Sequence, residues 1–411
     1  MNIALISFEY PIDTAWGGIA TYVQQAARML HNAGHYIEVF AGGKTEDRVE
    51  FDEGVRVNLV SYDKRMKFYN DVEPVFSERH KETKFDVLEV PEFATDAKRI
   101  TEKHPEVAVV VKTHSPYFLN KELNTSEWPL KRKLRHVAGS LKRGERPILP
   151  LFYNFRKDEE YLEAKKADII SAPSRSLQQI VKNKWNLPDE KFIRVPLPFL
   201  PSESMRSISP PGNSLTKAGF VGRLETRKGV SILAKSLKKI LSNHPDLFFY
   251  WIGQSQKAPD GQILMVDYLR ETLSEFGDRV IFTGKVDYDE LPSYLEKLDV
   301  CVFPSIWENF PNVCLEAMSA ARAVIGSEAG GMADMITHKK NGYLVPPKDS
   351  GAIIEAFEYF YDNPDMLHEF GRLARDTILT NYAPEVIARQ QLAMYDKAIE
   401  IRRNKDKPAI E

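Results

Sequence analysis

The chain has 411 residues, 43% of them hydrophobic and 28% charged, too long for one compact core and ordinary enough in composition to predict two or three globular domains. A formal net charge of −2 leaves no global basic field, which argues against nucleic acid as a partner. No run is long and apolar enough to span a bilayer, and the first residues, Met1-Asn-Ile-Ala-Leu-Ile-Ser7, read as a strand rather than a basic leader with an apolar core, so a signal peptide is not expected.

In chain order, Asn2 to Phe8 reads as a strand, Ile19 to Asn32 as an amphipathic helix stopped by Gly34, and Tyr36 to Phe40 as the next strand. Further strands are expected at Val55 to Val60, Val87 to Val90, Val107 to Lys112 and Ile169 to Ala172, mostly with helix-length segments between them. This β-α-β order predicts a parallel sheet covered on both faces. The proline-rich stretch between Arg194 and Ser214 cannot be regular helix or central strand and reads as a linker.

The pattern then restarts, with strands expected at Ala218 to Val221, Leu247 to Ile252, Val280 to Thr283, Val300 to Phe303, Ala323 to Ser327 and Tyr343 to Val345. A helix-forming run from Val313 to Ala323 follows the fourth of these, and Glu385 to Arg403 forms a last amphipathic helix able to dock on either domain. The domains expected are thus 1–197, a linker 198–213, 214–384, and a terminal helix 385–411. Two such domains create a cleft, and open α/β sheets take ligands beyond the carboxyl ends of their strands. Cys301 and Cys314 fall among apolar neighbours, which favours reduced, buried thiols in a cytoplasmic protein.

Charged motifs cluster at those strand ends. Gly219-Phe-Val-Gly-Arg-Leu-Glu-Thr-Arg-Lys-Gly229 follows a strand and opens a helix, placing Arg223 and Lys228, with Arg227 as a further cation, where a diphosphate would be held. Gly17 and Gly18 precede the first helix and let a ligand approach its amides. Trp16-Gly-Gly-Ile-Ala is not a Gly-x-Gly-x-x-Gly fingerprint, which weakens an oxidoreductase reading. Glu308 and Glu316 flank Asn309 to Leu315, with Pro311 suited to a helix start, so a phosphate at the helix N-terminus would lie between two carboxylates. His114 follows a strand, with Tyr10, Ser115 and Tyr117 as polar candidates for holding an acceptor. Asp287-Tyr-Asp289 is read as a helix N-cap with Glu290 rather than as a metal site. Trp128 to Arg146 is a basic amphipathic stretch that suits an anionic membrane, an anionic acceptor or, the preferred reading, a solvated helix face.

In order and spacing these motifs resemble the retaining glycosyltransferases of family 4, which have the GT-B fold: two doubly wound, Rossmann-like parallel-sheet domains facing a cleft. The resemblance is densest from Ala218 to Val345 and also rests on Phe282-Thr-Gly-Lys-Val286, Pro304-Ser-Ile-Trp-Glu308, Gly330-Gly-Met332 and Gly342-Tyr-Leu-Val-Pro346. It implies transfer of a hexosyl unit from a nucleotide diphosphate sugar, by family frequency a UDP-sugar, to a hydroxyl of a glycan or lipid-linked glycan precursor in polysaccharide biosynthesis. The donor is a co-substrate, with no other cofactor and no metal.

Carried onto this chain, the resemblance gives Arg223 and Lys228 to the donor diphosphate, Gly17 and Gly18 to its other side, and Glu308 to sugar hydroxyls. The backbone of Phe310, Asn312 and Val313 would surround sugar and phosphate, Glu316 would bind the ribose, the Val286 main chain the base, and His114 would lie near the reacting sugar. It also implies that the last helix returns to the N-terminal domain. The missing leader and the buried thiols point to a cytoplasmic location, with peripheral contact of 128–146 at the inner face of a membrane as the alternative to a solvated helix face. Asn309 replaces a common glycine, Ala320-Ala-Arg-Ala-Val324 replaces Gly-x-Pro-Val, and Pro311 removes one N–H donor and leaves Asn312 to compensate. The rival readings are a nucleotide-sugar epimerase or hydrolase on the same scaffold, and a non-catalytic nucleotide-sugar binder.

Overall fold

The computed structural model describes residues 1–14, 17–126, 128–258 and 262–405. Trp16 of the glycine motif therefore lies outside the described residues. The chain divides into one unit of residues 1–120, 153–198 and 382–411, and a second of residues 121–152 and 199–381.

The first unit is built on eight strands: β1 (Asn2–Ile6), β2 (Tyr36–Gly43), β3 (Arg48–Asp52), β4 (Val55–Ser61), β5 (Val87–Pro91), β6 (Ala108–Lys112), β7 (Ile169–Ala172) and β8 (Phe192–Arg194). They lie in the order β3-β4-β2-β1-β5-β6-β7-β8. All neighbours pair in parallel except β3, which runs antiparallel to β4. The central strands are buried along their length, as a parallel sheet covered on both faces requires. The strand order reverses between β1 and β5, so the loops after Ile6 and Pro91 open at a topological switch point.

The last helix, Pro384–Lys405, packs on β5, β6 and the helix Gly18–Asn32 of this unit. A buried polar cluster fastens it: Glu89 on β5 accepts hydrogen bonds from Tyr22 (2.5 Å), Tyr395 (2.9 Å) and Gln391 (3.2 Å). At the helix end, Arg402 and Lys405 both ion-pair with the buried carboxylate of Asp168, at 2.8 Å.

The second unit carries β9 (Lys217–Val221), β10 (Phe248–Ile252), β11 (Val280–Gly284), β12 (Val300–Phe303), β13 (Ala323–Ser327) and β14 (Tyr343–Val345), all parallel, in the order β11-β10-β9-β12-β13-β14. Its switch point lies between β9 and β12. Cys301 and Cys314 are free thiols, both fully buried.

Two expectations are corrected. The helix after β12 runs Asn312–Ser319 rather than to Ala323; Ala321 turns to φ +52 so that β13 can begin at Ala323. Asp287 precedes the short turn Tyr288–Glu290 but makes no side-chain cap, pairing with Lys285 at 3.4 Å instead. Arg322, in the stretch that departs from the Gly-x-Pro-Val pattern, is fully buried, and its guanidinium donates to the carbonyls of Leu298 (2.6 Å) and Ala320 (3.0 Å). Among the described residues no helix is long and apolar enough to cross a membrane.

Candidate functional site

In the second unit the chain leaves β9 through Gly222 to Leu224, makes a short turn at Thr226–Lys228, and starts the helix Val230–Asn243 after Gly229. Gly229 sits at φ +72, and a methyl group there would stand 1.9 Å from the carbonyl oxygen of Pro304. Only glycine tolerates that backbone and that approach. The two switch-point loops are thus pressed together, and a hydrogen bond from Ile306 N–H to the Arg227 carbonyl (2.9 Å) joins them.

The consequence is electrostatic. Glu308, buried, receives Lys228 Nζ and Arg227 Nη1 on the same oxygen, Oε1, each at 2.8 Å. Burial alone would raise its carboxyl, but Lys228 and Arg227 outweigh that and hold it below the usual carboxylate range. Arg227 also donates to Glu225 at 3.0 Å. Arg223 is more exposed and lies 3.4 Å from Glu225. The loop therefore brings Lys228 and Glu308 together and leaves Arg223 at its rim.

Glu316 lies in the helix that follows, buried, and burial pushes its carboxyl up to about 7 against the opposing charge of Lys228. The hydroxyl of Tyr288 is raised to about 12, by burial first and then by the charge of Glu316. Phe310 is buried and Asn312, Val313 and Val286 are half-buried. The first N–H groups of the helix Asn312–Ser319 have no acceptor within the helix, since i−4 partners do not exist there.

In the first unit Gly17 is the N-cap of the helix Gly18–Asn32; both glycines are exposed, and nothing lies within 4 Å of a methyl group at either. His114 follows β6 in a buried setting, its ring 5.1 Å from that of Tyr22. Burial first, and then Lys112, lower it to about 3, so it is a neutral imidazole at physiological pH. Lys112, itself lowered to about 8 by burial, donates to the Val195 carbonyl at 2.6 Å.

Glu92, at the carboxyl end of β5, was not anticipated. Its carboxylate accepts the backbone N–H of His114 (2.9 Å to each oxygen) and of Ser115 (2.6 Å). Beside it Glu160 accepts the Tyr117 N–H at 2.7 Å. Tyr117 is exposed and Ser115 half-buried. Tyr10, expected among the acceptor contacts, is fully buried and donates its hydroxyl to Asp52 at 2.6 Å, so its place is structural.

Asp287 and Asp289 belong to no group of three or more metal-ligand side chains among the described residues. Such a group does form at His80, His104 and Glu106 of the first unit. There the Phe85 N–H donates to His80 Nδ1 at 3.1 Å, which leaves the proton of a neutral ring on Nε2, facing Glu106 at 3.2 Å. That nitrogen is a hydrogen-bond donor rather than a metal ligand.

Comparison with known proteins agrees with this architecture. Residues 16–199 match the model of glycosyltransferase family 4 and residues 216–363 that of the glycosyl transferases group 1. An uncharacterized glycosyltransferase of Methanocaldococcus jannaschii is 25% identical over 420 residues, covering 98% of this chain and 99% of the relative. Among solved structures, sucrose-phosphate synthase from Thermosynechococcus elongatus superposes with a TM-score of 0.70 at 21% identity, covering 97% of this chain and 99% of the other. HepE of Anabaena in complex with UDP gives a TM-score of 0.67 at 16% identity, covering 96% and 100%. With family models matching on both sides of residue 200 and two switch-point parallel sheets of this kind, the chain belongs to the family 4 glycosyltransferases of the GT-B fold.

Proposed function

We propose that this glycosyltransferase moves a hexosyl unit from a nucleotide diphosphate sugar, a UDP-sugar by preference, to a hydroxyl of a glycan or lipid-linked glycan precursor, with retention at the anomeric carbon. The observation that carries this reading is the buried Glu308 carboxylate, kept charged between Lys228 and Arg227 at the switch point of the second sheet. A carboxylate there suits neutral sugar hydroxyls, while its two cations and Arg223 suit a diphosphate. As the bond between the anomeric carbon and the diphosphate oxygen breaks, the leaving group gains charge that Lys228, Arg227 and Arg223 stabilise where it develops. The acceptor oxygen bonds to the same face, and its proton passes to the departing diphosphate oxygen. These cations supply the positive charge, so the reading needs no metal.

Glu316 would hold the ribose and Val286 the base, with the N–H groups near Asn312 and Val313 toward phosphate and sugar. Gly17 and Gly18 leave room for a ligand at a helix N-terminus, and His114, neutral, would donate or accept a hydrogen bond rather than act as a base at physiological pH. The UDP held by the HepE structure supports uridine as the first nucleotide to test.

The test is product analysis with a panel of UDP-, GDP- and ADP-sugars and cell-derived acceptors, reading the anomeric configuration of the new linkage by NMR. Lys228→Ala and Arg223→Ala should slow transfer by about a hundredfold or more. Near-parental rates in both would overturn the clamp; donor epimerised or hydrolysed without acceptor product would replace the reaction.

A further inference from the structure

The helix Leu130–Lys142, within the second unit, is built inside out. A surface helix ordinarily buries its apolar stripe and shows water its charges. Here the packed side is polar: Ser140 is buried, His136 accepts the Ile148 N–H at 3.2 Å and stacks edge-on with Trp128 at 5.5 Å, and the Arg132 guanidinium covers the Trp128 ring at 4.3 Å. Positions 132, 136 and 140 repeat every four residues, and so share a face. The leucines look outward instead. Leu130 is 72% exposed, Leu134 62% and Leu141 64%, at spacings of four and seven that align them in one stripe. Beside each stands an exposed cation, Lys131, Arg135 or Lys142, and no acidic residue occurs between Trp128 and Gly144.

We infer that this stripe is a docking surface for an anionic lipid bilayer, the leucines entering the acyl boundary and the flanking cations meeting the headgroups. Three leucines left in water are a standing drive toward a covered state. Charge selects the cover. A second copy seated on the same stripe would set like cations against one another, whereas anionic headgroups over an apolar layer complement both features at once. The inward face adds a functional link, because Trp128 and Arg132 line a cavity shared with Glu225, Thr226 and Arg227 of the donor loop. Docking therefore brings that loop to the membrane surface. In that respect it deepens the reading of a lipid-linked acceptor, but the binding itself does not require transfer.

The experiment is flotation of the full chain with vesicles of phosphatidylcholine alone and of phosphatidylcholine with phosphatidylglycerol. The chain should float with the anionic vesicles and not with the neutral ones. Leu134→Asp should weaken that binding by about tenfold or more while leaving the melting temperature and transfer to a soluble acceptor unchanged. Leu162→Asp, at a leucine 41% exposed in the first unit, should float like the parent. No flotation, equal flotation with both vesicles, or Leu134→Asp behaving as the parent would overturn the assignment. So would a concentration-dependent dimer that Leu134→Asp abolishes, which would give the stripe to a second copy. Loss of transfer activity with vesicle binding intact would count against the proposed reaction and not against the docking surface.

Discussion

Gly330 lies so close to Glu308 that a methyl group built on it would stand 1.8 Å from the Glu308 carbonyl oxygen. Gly330 also holds φ +84, and the next residue, Gly331, donates its N–H to the same carbonyl at 2.8 Å. The glycine pair thus fixes the backbone from which Glu308 reaches its two cations. Gly330→Ala must move one strand of this contact, at a cost of about 1–3 kcal/mol in backbone strain alone. Expected are a melting temperature lower by a few degrees and donor affinity reduced about tenfold or more. Isothermal titration with UDP alongside a melting scan checks both; parental affinity for UDP and its sugar would show that Glu308 does not depend on this contact.

Glu316 makes the ligand-free protein sensitive to pH. Its folded value of about 7 is above the ordinary glutamate value, so between roughly pH 4.5 and 7 the folded state binds more protons than the unfolded state, and stability falls as pH rises through that window. The loss saturates above pH 7, at about 3 kcal/mol for this group. Glu316→Gln should flatten that part of a urea-denaturation profile. If the carboxylate form binds ribose hydroxyls, donor affinity in the parent should rise over the same interval, and the Gln variant should lose the rise. A parent whose stability is flat from pH 5 to 7 would contradict the buried, neutral carboxyl.

Much of the fold was legible because parallel strands buried on both faces are short apolar runs. Val300–Phe303, Ala323–Ser327 and Tyr343–Val345 occur at the bounds read from sequence. β3 escaped because Arg-Val-Glu-Phe-Asp is an edge strand with two of its five residues exposed and none buried, and β8 because it is three residues among charged neighbours. The end of the helix at Ser319 was unreadable for another reason: no glycine marks it, and Ala321 takes a left-handed conformation that its side chain does not advertise. At the site, the charges were visible but not their partners. That Arg227 joins Lys228 on Glu308, and that Gly330 presses on it, depends on contacts 81 and 22 residues apart set by β9, β12 and β13. Glu92 was missed because its role is to accept backbone N–H groups, which leaves no motif.

Glu92 is expected to hold the His114 loop. Glu92→Ala would strand the N–H groups of His114 and Ser115 in a buried site, at about 1–3 kcal/mol for each unsatisfied donor. Hydrogen exchange of residues 113–117 should accelerate strongly while the strand amides of β9 to β14 keep their protection. Unchanged exchange in that loop would mean that other contacts hold it.

The buried cluster around Glu89 predicts how firmly the last helix is held. Glu89 is fully enclosed, and burial raises its carboxyl despite Lys112 and three hydrogen-bond donors from Tyr22, Tyr395 and Gln391. Tyr395→Phe removes one donor and fills the same space, so the loss is close to that of one hydrogen bond to a buried carboxyl, about 1.5–3 kcal/mol. Gln391→Leu leaves Glu89 and the Tyr395 hydroxyl each short of a partner and should cost at least as much. Because Tyr395 and Gln391 share Glu89, the double variant should cost less than the two losses added, the sign of a coupled network. Chemical denaturation of the two single variants and the double measures this directly. Strict additivity would mean that the two side chains stabilise the helix independently, through packing on β5 and β6 rather than through the carboxyl.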